Sequence, residues 1–382
     1  MNPNHSERPK VLFLFSDTGG GHRSAAEAII ESLDLLYPNQ IETEMVDIFL
    51  AAPPPLDLAI PSYPAMARMT AVWETTYKMS NGRRRARFIH DAFWPYVRRA
   101  AYRLVDDHPA DLIVSVHPVP NMAVLRAMTN KTPYITVVTD LVSTHAMWYD
   151  RRTDLIVVPT DEAYLRGIKL GLRPEQMEVV GLPVADRFCH DLGPREELRA
   201  KLGWPQDRPV VTLVSGGEGM GPLGRTAVAI DKSGLRVAMA IITGRNAKLR
   251  TKLEKRKWQT PTRIYGFVHE MPQFMRASDA LVTKAGPGTI SEALIAGLPI
   301  VLYSRVPGQE EGNVTYVVEK GAGVWAPEPD LVVEALRNWL ENPALLAQVS
   351  SNCRKLGRPS ASQRIARIIA RRVGVMEARQ VE

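Results

Sequence analysis

The chain of 382 residues has only two cysteines, Cys189 and Cys353. That excludes a disulfide framework or a cysteine-built metal cluster and fits a reducing compartment. No stretch reaches 18 consecutive apolar residues, so no segment is expected to cross a bilayer as a helix. The first ten residues are polar and lead into the short run Val11–Phe15, without the pattern of a secretory signal, so a cytoplasmic chain is expected. Two nucleotide motifs are also missing. No Gly-Lys-Ser/Thr follows the first glycine cluster, and its spacing does not match G-x-G-x-x-G. Neither Asp-x-Asp nor His-Glu-x-x-His occurs. No metal and no cofactor is therefore expected, and any phosphate charge falls to backbone amides and helix dipoles.

What is present is a repeated alternation. Apolar runs at Val11–Phe15, Glu44–Leu50, Leu112–Val116, Tyr134–Val138, Leu155–Val158 and Glu178–Val180 are separated by segments of helical period, such as Ala26, Ile29, Ile30, Leu33 and Leu36. The pattern restarts with Val210–Val214, Val237–Ile242, Arg263–Phe267, Ala280–Val282, Ile300–Tyr303 and Val324–Trp325. Continuous apolar strands predict parallel sheets covered on both faces. The fold class is α/β, with two doubly wound Rossmann-like domains. The expected division is 1–190, a linker at 191–208, 209–358, and a terminal helix and tail at 359–382. Ligands bind such sheets beyond the carboxyl ends of the strands, so a cleft between the domains is the expected site.

Three glycine corners stand at strand-to-helix junctions. The first, "FSDTGGGHRSAAEAI", puts Gly20 and Gly21 before His22. Glycine permits a sharp turn and close approach of a ligand to the amides, and a helix N-terminus favours a neutral imidazole able to accept a proton. The alternative is a merely tight turn. The second, "VSGGEGMG", holds Ser215, Gly216, Gly217 and Glu218. The third, "TKAGPGTISEALIAGLP", holds Gly286, Pro287, Gly288, Thr289 and Glu292. Thr289 and Glu292 fit a capping box; equally, Glu292 can accept hydrogen bonds from a ribose diol. Gln309, Glu310 and Asn313 follow the strand Ile300–Tyr303 at its carboxyl end, as a binding edge or as a solvated loop.

The net charge of +7 is concentrated. Residues 68–103 carry nine Arg/Lys against two acids, an excess as large as the whole chain's. Arg83, Arg84, Arg85, Arg87, Arg98 and Arg99 alternate there with aromatics including Trp94. This pattern suits an anionic lipid surface or a solvated basic face; charge alone also suits nucleic acid, but no nucleic-acid motif accompanies it. The tail Ala361–Gly374 is amphipathic, either a packed terminal helix or a second membrane contact.

The stretches "SDTGGGHRSAAEAI", "SVHPVPN", "VVTDLVSTHAMWY" and "KAGPGTISEALIAGLPIVLYSRVPGQEEGNVTYVVEKGAG" resemble the monogalactosyldiacylglycerol synthase family, over nearly the whole chain. The resemblance implies a GT-B fold, a lipid acceptor held by the N-terminal domain, a UDP-sugar held by the C-terminal domain, and a terminal helix that crosses back. It implies an inverting, peripherally membrane-associated transferase that moves galactose from UDP-galactose to diacylglycerol. UDP-glucose as donor, another lipid acceptor, a UDP-sugar epimerase and a non-catalytic binding protein are the alternatives. By the same resemblance Glu292 meets the ribose, Gly286 to Thr289 and Ser215 to Glu218 the diphosphate, Phe267 and Val268 the uracil, and Gln309, Glu310 and Asn313 the hexose. His22 is the base or part of the acceptor site with Gly20, Gly21, His117, His145 and Trp148, and Asp140 is the rival base.

Overall fold

The structure is a computed structural model that describes residues 8–17, 20–49, 70–129, 131–217 and 221–376. It contains two compact units. One runs to Asp186 and resumes at Ser360; the other is Arg187–Pro359.

The first unit is built on β1 (Lys10–Phe15), β2 (Glu42–Asp47), β3 (Leu112–Ser115), β4 (Tyr134–Val137), β5 (Leu155–Val158) and β6 (Met177–Val179), in the order β2-β1-β3-β4-β5-β6. Every pairing is parallel, with Val11 opposite Thr43 on one side and Leu112 on the other. Val11, Leu12, Phe13 and Leu14 are wholly buried, which is why this central strand reads as unbroken apolar sequence. β2 starts and stops earlier than its apolar run; the expected end at Leu50 lies outside the described residues.

Helix Gly21–Leu36 turns Ala26, Ile29 and Leu33 onto this sheet. Helix Ala361–Arg372 packs beside it, with Ile365, Ile368 and Ile369 in the same core cluster. Burying each such side chain is worth roughly 1.5–3 kcal/mol. The apolar face of the tail is therefore committed to the core, and the reading of this helix as a membrane contact is corrected: a bilayer would have to extract those three isoleucines.

The second unit repeats the plan with β7 (Val210–Val214), β8 (Ala238–Ile242), β9 (Thr262–Tyr265), β10 (Ala280–Lys284), β11 (Ile300–Ser304) and β12 (Gly323–Trp325), all parallel, in the order β12-β11-β10-β7-β8-β9. The interval 191–208, expected as a connector, carries a helix, Arg195–Leu202. Its Leu198 is buried, and the Arg199 Nε donates to the Ala277 carbonyl at 2.8 Å. Two anchoring side chains tie down a segment whose proline and charge content otherwise signals an open loop.

Each sheet reverses its winding once, between β1 and β3 and between β7 and β10. Crevices outside the carboxyl ends of strands at such points are where doubly wound sheets take ligands. The first glycine corner and His117 follow β1 and β3; the other two glycine corners follow β7 and β10.

Candidate functional site

In the first unit, Gly20 caps helix Gly21–Leu36 in the left-handed conformation (φ 74°), which disfavours any side chain there. A Cβ at Gly20 or at Gly21 would meet nothing within 4 Å among the described residues. The first helical bond runs from the Ser24 amide to the Gly20 carbonyl at 3.1 Å, leaving the amides of Gly21, His22 and Arg23 outside the helix ladder.

His22 is half-buried. Its Nδ1 lies 2.8 Å from the Val116 carbonyl oxygen and 2.9 Å from Thr139 Oγ1. A carbonyl can only accept, so Nδ1 carries the proton and Nε2 keeps its lone pair. Burial lowers the His22 pKa to about 4, against the opposing pull of the Val116 bond. The ring is thus neutral at neutral pH, and its proton-accepting nitrogen is defined.

The buried His117 ring stands edge-on to His22, with centroids 4.5 Å apart. Its Nδ1 accepts from the Val119 amide at 3.3 Å, which places its proton on Nε2. Burial, with the His22 charge second, holds its pKa well below the usual value. Trp148 lies 6.2 Å from His22, ring to ring, and its Nε1 donates to Asp140 Oδ2 at 2.7 Å. Asp140 and Trp148 are both buried.

His145 has a different place from the one expected. Its Nδ1 accepts from the Met147 amide at 3.2 Å and its Nε2 bonds Ser80 Oγ at 3.1 Å, so both nitrogens are used. Tyr77 stacks edge-on against it and donates to the Ser143 carbonyl at 2.6 Å. Asn81 Oδ1 accepts from the Ala146 amide and from Arg166. These contacts clasp helix Thr70–Ser80 to the segment that carries Asp140 and Trp148. Sequence reasoning missed Thr139, although its position between β4 and Asp140 marked it. It also missed the bidentate pair of Arg23 with Asp17, which spans the first corner.

In the second unit, helix Pro287–Ala296 starts at Pro287 with Gly286 as its cap and no side-chain cap bond. Thr289 and Glu292 therefore sit inside the helix, and the capping-box reading is not realised. Ile290 makes the first helical bond, to Gly286 at 3.1 Å, so the amides of Gly288 and Thr289 are left outside the ladder; Pro287 has none. A Cβ at Gly288 would meet nothing within 4 Å. Glu292 keeps some surface exposure, yet the protein packed around it raises its pKa to about 7, with Arg187 pulling the other way.

Gly216 turns the second corner at φ 67°. The Gly217 carbonyl accepts from the Arg245 amide at 2.7 Å, and a Cβ on Gly244 would stand 2.2 Å from that oxygen, so only glycine fits at 244. Glu218 lies outside the described residues. The Arg245 guanidinium stands over the ring of Phe267, 5.1 Å from its centroid, while Val268 is half-buried. Arg245 was not singled out by its sequence; a glycine-arginine pair after β8 was the available signal.

Around the same sheet end, Thr283 Oγ1 and Asn313 Oδ1 are buried without a hydrogen-bond partner among the described residues. Such atoms are costly unless something supplies their partners. Asn313 also donates to the Ala285 carbonyl at 2.9 Å. Glu310 is committed on both oxygens, to Lys284 and to the Val306 amide at 2.7 Å, and Gln309 beside it is half-buried.

The basic segment forms helix Arg83–Asp107. Arg83, Arg84, Arg85, Arg87, Arg98 and Arg99 are exposed. Trp94 is instead half-buried, with Arg126 over its ring at 4.5 Å. The outward aromatics are Phe88, 75% exposed, and Phe93, Tyr96 and Tyr102. Phe88, Ala92, Tyr96, Arg99 and Arg103 follow at three- and four-residue steps, one face of the helix. No helix among the described residues is long and apolar enough to cross a membrane.

Residues 22–184 match the family described as monogalactosyldiacylglycerol (MGDG) synthase, and residues 218–365 match the glycosyltransferase family 28 C-terminal domain. A probable chloroplastic monogalactosyldiacylglycerol synthase of Glycine max is 37% identical over 93% of this chain and 70% of its own length. Monogalactosyldiacylglycerol synthase 1 of Arabidopsis thaliana is 36% identical over 94% and 70%. Among solved structures, S. aureus MnaA with UDP is similar at a TM-score of 0.62 and 17% identity, covering 97% of this chain and 98% of that one. The likeness is one of fold: two Rossmann-like α/β units of the GT-B class.

Proposed function

The chain belongs to the monogalactosyldiacylglycerol synthase family, and from that premise we propose that it is a glycosyltransferase moving galactose from UDP-galactose to 1,2-diacylglycerol, with inversion at the anomeric carbon. The observation that carries the reading is the lock on His22: Nδ1 is held by Val116 and Thr139, and Nε2 is left basic beside the first glycine corner.

In this reading the second unit holds the donor. Ionised Glu292 accepts both ribose hydroxyls. The amides of Gly288 and Thr289, with the Gly216–Gly217 turn, face the diphosphate. Phe267 and Val268 flank the uracil. The orphaned oxygens of Thr283 and Asn313 find partners on the bound nucleotide-sugar. Glu310, tied to Lys284 and Val306, shapes the hexose loop together with Gln309.

The first unit holds the acceptor. The diacylglycerol hydroxyl donates to His22 Nε2. Its oxygen bonds the anomeric carbon from the face opposite UDP while the bond to the UDP oxygen breaks. The proton passes to Nε2, and UDP leaves as the anion. Asp140, held by the Trp148 indole, is the rival base. A general base of this kind contributes roughly 10²–10⁴ in rate. The exposed Phe88–Arg103 face rests on an anionic membrane surface, where diacylglycerol resides, and the association is peripheral.

The test is product formation on vesicles of anionic lipid that contain dioleoylglycerol, with UDP-galactose and UDP-glucose offered separately and products read by mass spectrometry. Monogalactosyldiacylglycerol of inverted anomeric configuration is expected from UDP-galactose. Turnover only with UDP-glucose would replace the donor, and no transfer from either would remove the reading.

A further inference from the structure

Arg245 touches two places that the donor reading treats separately. At its root, its backbone amide donates to the Gly217 carbonyl at 2.7 Å. Gly244 beside it has no room for a side chain, since a Cβ there would stand 2.2 Å from that oxygen. The residue is thus anchored to the turn that follows β7. At its tip, Nη1 lies 3.7 Å from the point where a Cβ on Gly217 would stand. The guanidinium carbon lies over the Phe267 ring, 5.1 Å from its centroid. One guanidinium therefore borders both the Gly216–Gly217 turn and the aromatic ring that follows β9.

Both ends of this arrangement are unusual. Phe267 is 51% exposed, and His269 meets its ring edge-on, with centroids 5.3 Å apart. An exposed ring is a stacking surface, and a planar guanidinium covers such a surface as a flat base would. Arg245 also stands directly before Asn246, the cap of helix Ala247–Glu254, whose Oδ1 accepts from the Leu249 amide at 2.9 Å. The amino end of a helix carries partial positive charge, which disfavours a cation and favours an anion. A ligand with a flat base at one end and an anion at the other answers both features, and the same side chain reaches both ends.

We propose that Arg245 gates the donor site. In the free protein its guanidinium holds a face of the Phe267 ring; UDP displaces it from the ring, and the diphosphate then receives it beside the Gly216–Gly217 turn. The gate rests on the donor reading above and adds a competition to it. Arg245 opposes the base and favours the phosphates. A nucleoside without phosphates must displace the guanidinium and offers it nothing in return, so the gate selects for the diphosphate form.

Uridine and UDP are titrated into the full chain, uridine by ligand-observed NMR and UDP by calorimetry, for wild type, Arg245→Ala and Arg245→Lys. In Arg245→Ala the two ligands should move in opposite directions. Uridine should bind about two- to fivefold tighter, because an exposed cation–π contact no longer competes. UDP should bind roughly fivefold or more weaker, because the lost charge-assisted contact outweighs that gain. Arg245→Lys keeps the charge and should recover part of the UDP affinity. Uridine bound at least as tightly as by wild type shows that the variant is folded; Arg245→Gln serves if Arg245→Ala does not fold. Absence of UDP binding to wild type removes the donor reading, and the gate with it. UDP bound by wild type and undiminished in Arg245→Ala overturns the gate alone. So does weakening of uridine and UDP alike, the mark of a side chain that only props the ring. Weaker UDP with uridine unchanged overturns it too, since the phosphate contact then stands without a competition for Phe267.

Discussion

Thr139 Oγ1 and His22 Nδ1, 117 positions apart in the chain, meet at 2.9 Å. The pair fixes which imidazole nitrogen is basic, so in the proposed reading Thr139 acts through His22. Thr139→Val removes one of two acceptors at Nδ1, a loss of about 0.5–1.5 kcal/mol, or roughly two- to tenfold in kcat. KM for the UDP-sugar should stay constant, and Thr139→Ser should restore the rate. An unchanged kcat in Thr139→Val would leave Val116 as the sole lock.

His22→Ala should remove most turnover, by roughly 10²–10⁴, and leave UDP affinity intact. If more than about a tenth of the rate survives, the proton goes elsewhere. Asp140→Asn is then the variant to measure, because Asp140 is a buried carboxyl group at the carboxyl end of this sheet.

In the proposed reading Glu292 links donor binding to pH. Its pKa is raised to about 7 by burial, while hydrogen bonds from a ribose require the ionised form. UDP affinity should therefore rise between pH 6 and 8, with proton release. The phosphate of UDP titrates as well, but that contribution is common to wild type and Glu292→Gln. Calorimetry should show a flatter pH dependence in the variant and, at pH 8, affinity more than tenfold weaker, since bonds to a charged group are worth about 1.5–3 kcal/mol. Equal affinities and slopes would remove Glu292 from the site.

Acid should loosen the first unit. Burial lowers the pKa of His22 and of His145 to about 4, and that of His117 in the same direction. The unfolded chain thus binds more protons than the folded one between pH 6.5 and about 4. The stability these groups contribute is complete above pH 6.5 and is lost as pH falls through that window, by about 1–2 kcal/mol for each of His22 and His145 at pH 5. Glu292 opposes this in the second unit, where its folded pKa is the higher one. Urea midpoints should fall from pH 7 to pH 5, and His145→Asn should shrink the difference. A midpoint independent of pH would contradict the buried neutral rings.

Membrane docking should depend on the outward face of helix Arg83–Asp107. Phe88→Ser with Tyr96→Ser should release the protein from anionic vesicles at lower salt than wild type, with UDP binding unchanged. Attraction by the neighbouring arginines is screened over about 8–10 Å at ordinary salt, so the aromatics carry the contact as salt rises. Equal sedimentation of variant and wild type across a salt series would assign docking to another surface.

Twelve apolar runs were legible as twelve parallel strands because both faces of each sheet are covered, and continuous Val, Ile and Leu leave little choice. The glycine corners were legible for a similar reason: Gly20 and Gly216 occupy backbone conformations that few other residues adopt. Side-chain direction was not. Trp94 has the composition of a membrane anchor but meets Arg126, and His145 has the look of a site residue but bonds Ser80. Those partners lie 32 and 65 residues away, beyond any local pattern. Thr289 and Glu292 show the limit most plainly. Their spacing suits a cap, and only the start of the helix at Pro287 decides that they are not one.

The helix Ala361–Arg372 has a consequence for synthesis. It supplies Ile365, Ile368 and Ile369 to a core otherwise built from residues before 187. On the ribosome the chain emerges from its amino end, and domains fold as they become complete. The second unit, contiguous from Arg187 to Pro359, is finished first, although it begins later. The first unit, begun earlier, waits with part of its core uncovered until helix Ala361–Arg372 is released. Its nascent form is thus the vulnerable one, and a stop codon anywhere before position 361 strands it in that state.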